Sequence, residues 1–422
     1  MSGEDRPPLR IAVFTDSYQP YVSGVVRSID TFGAELMELG HEVYIFGPRY
    51  YHQAQGGKAP EPERPPALRV YRFWSIPVPT YRGFTVPVPI SMQAEALLAA
   101  LGIDIIHSHT PFVMGVMARV LARRRRIPLA FTHHTMYHEY VHYVPGVRPI
   151  LRQAMLRYVG GYCKRADLIV APTPQIRDFI MDTYRLGAKP VKVIPTGIPV
   201  DDYRDGDPRW LRERLGIRAG ERVLIFVGRL GREKNVAFLL DVLRRVHQAL
   251  PGVHLVLVGD GPDRPRLERL AREMGIRPWV HFTGTYARHE VIQAMHGADL
   301  FVIASTTETQ GLATLEAMAA GLPVVGVDAP GTHDMVQTGV QGLLRPEDPA
   351  VVADAVLALL KDADKYQRFA ARARQRAEAL SAREMALRLV GAYQELLTPG
   401  LHGSRAGRDS KVAVELPKGV SH

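Results

Sequence analysis

The stretch "LRIAVFTDSYQPYVSGVVRSIDTFGAELMELGHEVYIFGP", residues 9–48, decides the fold. It opens with a short β-rich apolar run, 9–17, that ends in turn formers. Val25, Val26, Ile29, Phe32 and Leu36 then recur at helical spacing over about 24–39, closed by Gly40, and "HEVYIFGP" reads as a second strand. Strand, helix and strand joined by short connections predict a parallel sheet with right-handed crossovers. The rhythm continues through "IDIIHSHTP", "IPLAFTHHT", "ADLIVAPTP" and "VKVIPTGI". An Asp-, Gly- and Pro-dense stretch, "PVDDYRDGDPRW" at 199–210, reads as a linker. After it the pattern restarts with "RVLIFVGRL", a helix at 235–249, "VHLVLVGDGP", a helix at 263–274, "VHFTGTY", "ADLFVIAST", a helix from about 311 and "LPVVGVDAP". The expected class is therefore α/β, with two doubly wound domains at 9–200 and 201–381. Amphipathic stretches at 350–361, 365–380 and 382–397 close the fold, and 400–422 has no sustained period, as in a disordered tail.

Bulk properties narrow the function classes. The 422 residues are 46% hydrophobic and 23% charged, an ordinary globular mix. A single cysteine, Cys163, excludes internal disulfides and suits a reducing cytosol. The N-terminus shows no apolar secretory region, and no run reaches the ~18 apolar residues of a membrane-spanning helix. The formal net charge of +10 fits an anionic partner, whether a phosphorylated substrate, a nucleic acid or an acidic membrane surface.

Two metal-like motifs fail on their context. "HEYVH" at 138–142 spells HExxH, but Pro145 and Gly146 would end any helix there. No His or Glu follows between 143 and 180 to serve as a third ligand. Asp205 and Asp207 form Asp-x-Asp inside the linker composition rather than at a strand end, so they read as turn chemistry.

The richest chemistry lies in "STTETQGLATLEAMAAGLPVV", 305–325. Glu308 falls in the loop after a strand and Glu316 about two turns into a helix. Thr309, Gln310, Gly311 and Leu312 between them would form that helix's N-terminus. Free amides and the positive dipole end suit a phosphate there, and the two carboxylates suit sugar and ribose hydroxyls. In "FVGRLGREKN", Arg229 and Lys234 follow a strand end, where open α/β sheets bind ligands. Two cations aimed at one diphosphate would stabilise charge on a departing phosphate; the alternative is a basic loop before the next helix. "GDGP" at 259–262 is a partial match to a dinucleotide loop. In "PYVSGV", Gly24 would bring backbone N–H against a phosphate or simply make a tight turn. His107 and His109 end one strand, with acceptor-side and structural readings both open, and His133 and His134 end another.

In this order the clusters resemble the retaining, nucleotide-sugar-dependent glycosyltransferases of GT-B fold marked by Glu-seven residues-Glu, over about residues 9–395. "ETQGLATLEAMAAGLPVV" carries most of the likeness and "GRLGREKN" adds to it. "VSGV", with Ser23 where a glycine is commoner, "HTMYHEYVHYV" and "ETQGL" look most like the diacylglycerol glucosyltransferase branch. The branch often has an acidic pair where His138-Glu139 stands, so the HExxH spelling is incidental. The resemblance implies two Rossmann-like domains facing across a cleft, with a C-terminal helix at 382–398 crossing back to the first. It implies His134 beside the donor sugar, Arg229 and Lys234 on the diphosphate, Glu308 on the sugar and Glu316 on the ribose. Gly24 and the 309–312 amides would complete the cradle, and Asp16 would face the acceptor; the acceptor-side reading of His109 rests on its strand-end position alone. It further implies same-face transfer of a hexose, with no cofactor and no metal. The expected donor is UDP-glucose and the acceptor 1,2-diacylglycerol, giving an α-glycolipid; the alternative is a GDP-mannose-dependent mannosyltransferase on another lipid or glycan.

Two stretches suit an anionic lipid surface on the inner face of the cell membrane. "RFWSIPVPTYRGFTVPVP" (72–89) and "VRPILRQAMLRYVGGYCKR" (147–165) mix aromatic and aliphatic residues with Arg and Lys. The competing reading is a loop and a core-facing helix with a solvated basic side. "RRRR" at 123–126 reads as a favourable helix C-terminus. A nucleic-acid binder would leave the paired carboxylates unexplained, so no nucleic-acid partner is expected. A nucleotide-sugar epimerase sharing the fold would instead turn over donor without acceptor.

Overall fold

The computed structural model describes residues 7–21, 23–50, 68–77, 85–88, 91–137, 148–306 and 308–398. The HExxH stretch at 138–142 and the expected tail at 400–422 lie outside the described residues. The chain forms two α/β units. The first takes the chain to Pro172, then Ile176–Ile194 and everything from Ala386; the second takes Thr173–Gln175 and Pro195–Met385.

In the first unit the strands are β1 (Arg10–Phe14), β2 (Glu42–Pro48), β3 (Arg69–Phe73), β4 (Ser75–Pro77), β5 (Thr85–Pro87), β6 (Ile105–Ser108), β7 (Leu129–Thr132), β8 (Leu168–Ala171) and β9 (Val191–Val193). Seven of them form a parallel sheet in the order β3-β2-β1-β6-β7-β8-β9, while β4 and β5 pair antiparallel as a small hairpin. The helices are α1 (Gly24–Glu38), α2 (Ser91–Leu101), α3 (Val113–Arg125), α4 (Arg148–Cys163) and α5 (Pro174–Tyr184). Central strands such as β6, β7 and β8 are buried along their whole length. That is why they read as continuous apolar runs: helices cover both faces of a parallel sheet.

Helix α1 shows how local chemistry sets an element. Ser23 is its N-cap, and the serine Oγ accepts the Val26 N–H at 3.3 Å. Val26, Ile29, Phe32 and Leu36 face the core. Gly40, at φ +86°, ends the run and donates to the Met37 carbonyl at 2.8 Å. The basic run ends α3 as the sequence predicts, with Arg124 and Arg125 paired to Glu95 of α2 at 3.3 Å. Cys163 is fully buried, and burial pushes its thiol up to about 12.

The second unit repeats the plan. Its helices are α6 (Trp210–Leu215), α7 (Val236–Ala249), α8 (Arg264–Glu273), α9 (Arg288–His296), α10 (Leu312–Ala319), α11 (Pro330–Met335), α12 (Pro349–Leu360) and α13 (Ala363–Glu378). Its strands β10 (Arg222–Val227), β11 (Val253–Val258), β12 (Val280–Gly284), β13 (Leu300–Ile303), β14 (Val324–Val327) and β15 (Gly342–Arg345) pair in parallel in the order β12-β11-β10-β13-β14-β15. Leu239, Leu243 and Val246 of α7 pack with Leu255, Leu257, Val302, Val325 and Val356 in one core. The last helix, α14 (Ala382–Leu397), starts in the second unit and belongs from Ala386 onward to the first.

The second unit begins at Pro195, a little before the 200/201 break drawn from composition. The Gln310 amide donates to the Thr196 carbonyl at 2.7 Å and accepts the Thr196 N–H at 2.8 Å, tying that stretch to the second unit.

Candidate active site

In each sheet the strand order reverses at one place, between β1 and β6 in the first and between β10 and β13 in the second. Chains leaving neighbouring strands there diverge to opposite faces and open a crevice at the carboxyl ends, where α/β sheets bind ligands. The residues singled out by sequence sit on those ends: Asp16 and Gly24 after β1, His109 after β6, Arg229 after β10, and Glu308 after β13.

In the second unit, Lys234 and Glu308 are joined by a short ion pair, their side chains about one-fifth exposed (23% and 19%). Arg229 is more open and lies 3.8 Å from the Glu233 carboxylate. The Arg229 loop is seated by the "GDGP" turn. Leu230 donates to the Asp260 carbonyl at 3.0 Å, and Asp263 donates back to Leu230 at 3.0 Å. A Cβ on Gly259 would lie 2.0 Å from the Gly228 carbonyl oxygen, and one on Gly261 2.4 Å from that of Leu230. These glycines therefore serve loop-on-loop packing, and the partial dinucleotide motif finds its explanation there.

Gly311 occupies the N-cap of α10 at φ +76°, so it supplies no side chain to the helix's first amides. Thr309 and Leu312 flank it half-buried, and Gln310 is buried on Thr196. Glu316 is 2% exposed, one full turn inside α10. Glu308, Lys234, the α10 N-terminus and Arg229 thus share the β10/β13 end of this sheet. Asp207 caps its own turn, accepting the Arg209 N–H at 2.9 Å. Among the described residues no group of three or more His, Cys, Asp and Glu is placed to hold a metal ion.

In the first unit, Asp16 is buried. Its carboxylate accepts the Thr110 hydroxyl and, at 2.9 Å, the Met114 N–H in the first turn of α3. Burial raises its carboxyl above the ordinary range, and these two donors oppose that rise. Both oxygens are engaged by protein, so Asp16 anchors α3. Gly24 opens α1 with an ordinary φ, and a Cβ there would meet nothing within 4 Å.

The histidines form a row. His107 bonds the Tyr393 hydroxyl through Nδ1 at 2.5 Å and Thr132 Oγ1 through Nε2 at 2.7 Å. His109 Nδ1 lies 2.8 Å from His134 Nε2. His133 turns the other way, to the Tyr184 hydroxyl at 3.2 Å. His107, His109 and His133 are buried, whereas His134 is partly exposed. Burial holds the imidazoles of His107 and His134 down to about 3, and that of His109 well below its ordinary value.

Two supporting residues escaped the sequence reading, and a named one does something further. Gln310 reads as a cradle residue through its amide, and its side chain also grips Thr196. Glu233 holds Arg229 from inside the basic loop. Gly331 lets α11 pass Glu308, since a Cβ there would sit 2.3 Å from the Glu308 carbonyl oxygen. Only the glycine in "APGTHD" left a local trace, and nothing in the letters paired it with residue 308.

The comparisons with known proteins agree with the two-unit α/β fold. Residues 209–376 match the model for "Glycosyl transferases group 1", and 22–202 that for "Glycosyltransferase Family 4". An alpha-monoglucosyldiacylglycerol synthase of Streptococcus pneumoniae is 34% identical over 349 residues, 80% of this chain and 75% of that protein. One of Acholeplasma laidlawii is 31% identical over 327 residues, 75% of this chain and 80% of that protein. Anabaena Alr3699/HepE in complex with UDP superposes with a TM-score of 0.73 at 21% identity, covering 92% of this chain and all of that one. Two parallel-sheet units with this motif order, and relatives of this similarity over most of the chain, mean that the protein belongs to the group 1/family 4 glycosyltransferases of GT-B fold.

Proposed function

We propose that this glycosyltransferase moves glucose from UDP-glucose to the free hydroxyl of 1,2-diacylglycerol with retained anomeric configuration, as a peripheral protein on the inner face of the cell membrane. The observation that carries the reading is the joining of Lys234 and Glu308 beside the uncapped N-terminus of α10, in a chain similar over most of its length to two alpha-monoglucosyldiacylglycerol synthases. In the ligand-free protein each of these two side chains holds the other. A donor diphosphate would draw Lys234 and Arg229 to its oxygens, releasing Glu308 to accept sugar hydroxyls. The 309–312 amides and Gly24 would face the phosphates, Glu316 the ribose, and His134 a donor hydroxyl. As the bond to the leaving phosphate breaks, fixed cations and amides stabilise the growing charge; removing one such group costs roughly 10²–10³-fold in rate. The leaving phosphate then takes the proton of the acceptor hydroxyl attacking from the same face. These cations make a metal unnecessary, so a chelator should leave initial rates unchanged. A chelator-sensitive rate restored by magnesium would overturn that part.

The lipid surface has its own support. Trp74 and Ile76 are 54% and 52% exposed beside or on the β4–β5 hairpin, and Ile76 is paired with Val86, which is also exposed. On α4, Ile150 is 77% exposed while Arg152 and Arg157 are solvent-facing, and Val159, Tyr162 and Cys163 are buried. Exposed apolar side chains beside cations suit an anionic bilayer. Among the described residues no helix is long and apolar enough to cross a membrane. The test is product formation by purified protein in mixed micelles containing diacylglycerol, with UDP-glucose and GDP-mannose offered separately. Glycolipid from UDP-glucose alone supports the reading. Product from GDP-mannose alone moves the donor, and no lipid product from either donor removes the diacylglycerol acceptor.

A further inference from the structure

We infer that His109 is a positioning residue for glycosyl transfer: through its hydrogen bond to His134 it fixes which ring nitrogen of His134 carries the proton and where that ring lies. This rests on the reading that His134 touches the donor sugar.

The geometry leaves His109 little else to do. It is 2% exposed, so it offers no surface to an acceptor. Its own backbone is pinned where β6 leaves the sheet, with its N–H on the Phe14 carbonyl at 2.9 Å. The parallel pairing of β6 with β7 sets the chain after Ser108 beside the chain after Thr132, and the His133 N–H on the Val170 carbonyl at 2.9 Å fixes the second segment. The two rings then lie nearly parallel, 20° apart with centroids at 5.0 Å, and Nδ1 faces Nε2 at 2.8 Å. On its other side His109 meets the His107 ring at 4.3 Å, and both nitrogens of His107 are committed to Tyr393 and Thr132. His107 therefore backs His109 without competing for its hydrogen bond.

Two neutral imidazoles facing nitrogen to nitrogen can share only one proton along that line. If His109 donates, the proton of His134 is on Nδ1, which is then a donor. If His134 donates from Nε2, its Nδ1 is an acceptor. In either arrangement one partner sets the role of the other, as a buried group behind a working histidine does. Burial keeps both rings neutral at ordinary pH, which holds the pairing in place.

The test combines spectroscopy with kinetics on the full chain. Histidine-labelled protein gives the two ring-nitrogen shifts of His134, free of donor, in wild type, His109→Phe and His109→Asn. Phenylalanine keeps the ring volume and removes the hydrogen bond, whereas the asparagine amide restores a polar atom near the place of Nδ1. We expect one fixed tautomer in wild type and averaged shifts in His109→Phe. With whichever donor gives product, kcat of His109→Phe should fall roughly 10–100-fold at unchanged acceptor KM, with partial recovery in His109→Asn. Unmoved His134 shifts in His109→Phe, or a raised acceptor KM at wild-type kcat, overturn the inference. Should His109→Phe not fold, averaged His134 shifts in the wild type alone overturn it. A His134→Ala variant with unchanged kcat removes the reading beneath it and is told apart by shifts that still respond to His109.

Discussion

At Gly24 the chain places a glycine in the first turn of a helix where neither φ nor space requires one. Glycine within a helix costs roughly 0.5–1 kcal/mol relative to alanine, so the fold gains nothing from it. Gly24→Ala is accordingly expected to keep or slightly raise the unfolding midpoint while lowering kcat/KM for the donor. An alanine variant as active as wild type would take the donor away from this loop. Glu308 argues in the same way. Its pair with Lys234 is partly exposed, and pairs open to water contribute roughly 0–1 kcal/mol. Glu308→Gln should therefore melt close to wild type yet lose about 10²–10³-fold in kcat. A large drop in melting temperature with activity retained would make the residue a structural one. Gly311 differs from both. At φ +76°, with Thr314 Oγ1 3.3 Å from any Cβ, a side chain there strains the backbone whether or not a phosphate binds.

On the scale of elements, α3 depends on a carboxylate from another strand. Asp16 follows β1, yet it accepts from Thr110 and from the first turn of α3. Asp16→Ala would leave a buried hydroxyl and a helix amide without their acceptor, at roughly 1–3 kcal/mol. Chemical denaturation should show that loss, and a variant as stable as wild type would sink the anchoring role. The β4–β5 hairpin stands at the other extreme, with its apolar side chains turned to solvent. Replacing Trp74 and Ile76 with serine should weaken cosedimentation with anionic vesicles and leave turnover of a short-chain, water-soluble acceptor unchanged. Equal vesicle binding by the double variant would move the membrane contact elsewhere, with α4 and its exposed Ile150 next in line.

For the whole molecule, buried imidazoles set the response to acid. His107, His109 and His134 in the first unit, and His254 and His281 in the second, are all held below the ordinary value of 6.5 by burial. The unfolded chain takes protons on these residues as pH falls through about 6.5, and the folded chain takes them only at lower pH. Stability contributed by their neutrality is thus present above 6.5 and is lost as pH drops toward 3, by up to about 1.4 kcal/mol per pH unit for each residue. Asp16 and Asp30 act in the opposite sense, since their raised folded values make protonation favour the native state as pH falls toward 3.8. Five lowered imidazoles set against two raised carboxylates make a melting temperature that falls from pH 7 to 5 the expected outcome. A melting temperature that rose over that range would contradict the burial of the histidine row.

The division between letter and fold is plain in particular residues. Period-two and period-3.6 patterns are local, so β1, α1 and β2 could be read from residues 9–48 alone, and α10 from its glycine and its two glutamates. A motif at a strand end carries its meaning in a few adjacent positions, which is why Arg229, Lys234, Glu308 and Glu316 were legible together. What the letters could not hold was partnership across distance. Gln310 with Thr196, Asp16 with Met114, His107 with Tyr393 and His109 with His134 each join residues far apart in the chain. Those partners follow from which strands become neighbours, and the order β3-β2-β1-β6-β7 is written in no single segment. The sequence by itself determined the two α/β halves and the residues of the Glu-seven residues-Glu motif. Only the tertiary structure set Asp16 against the first turn of α3 and His109 against His134, because those contacts depend on long-range packing.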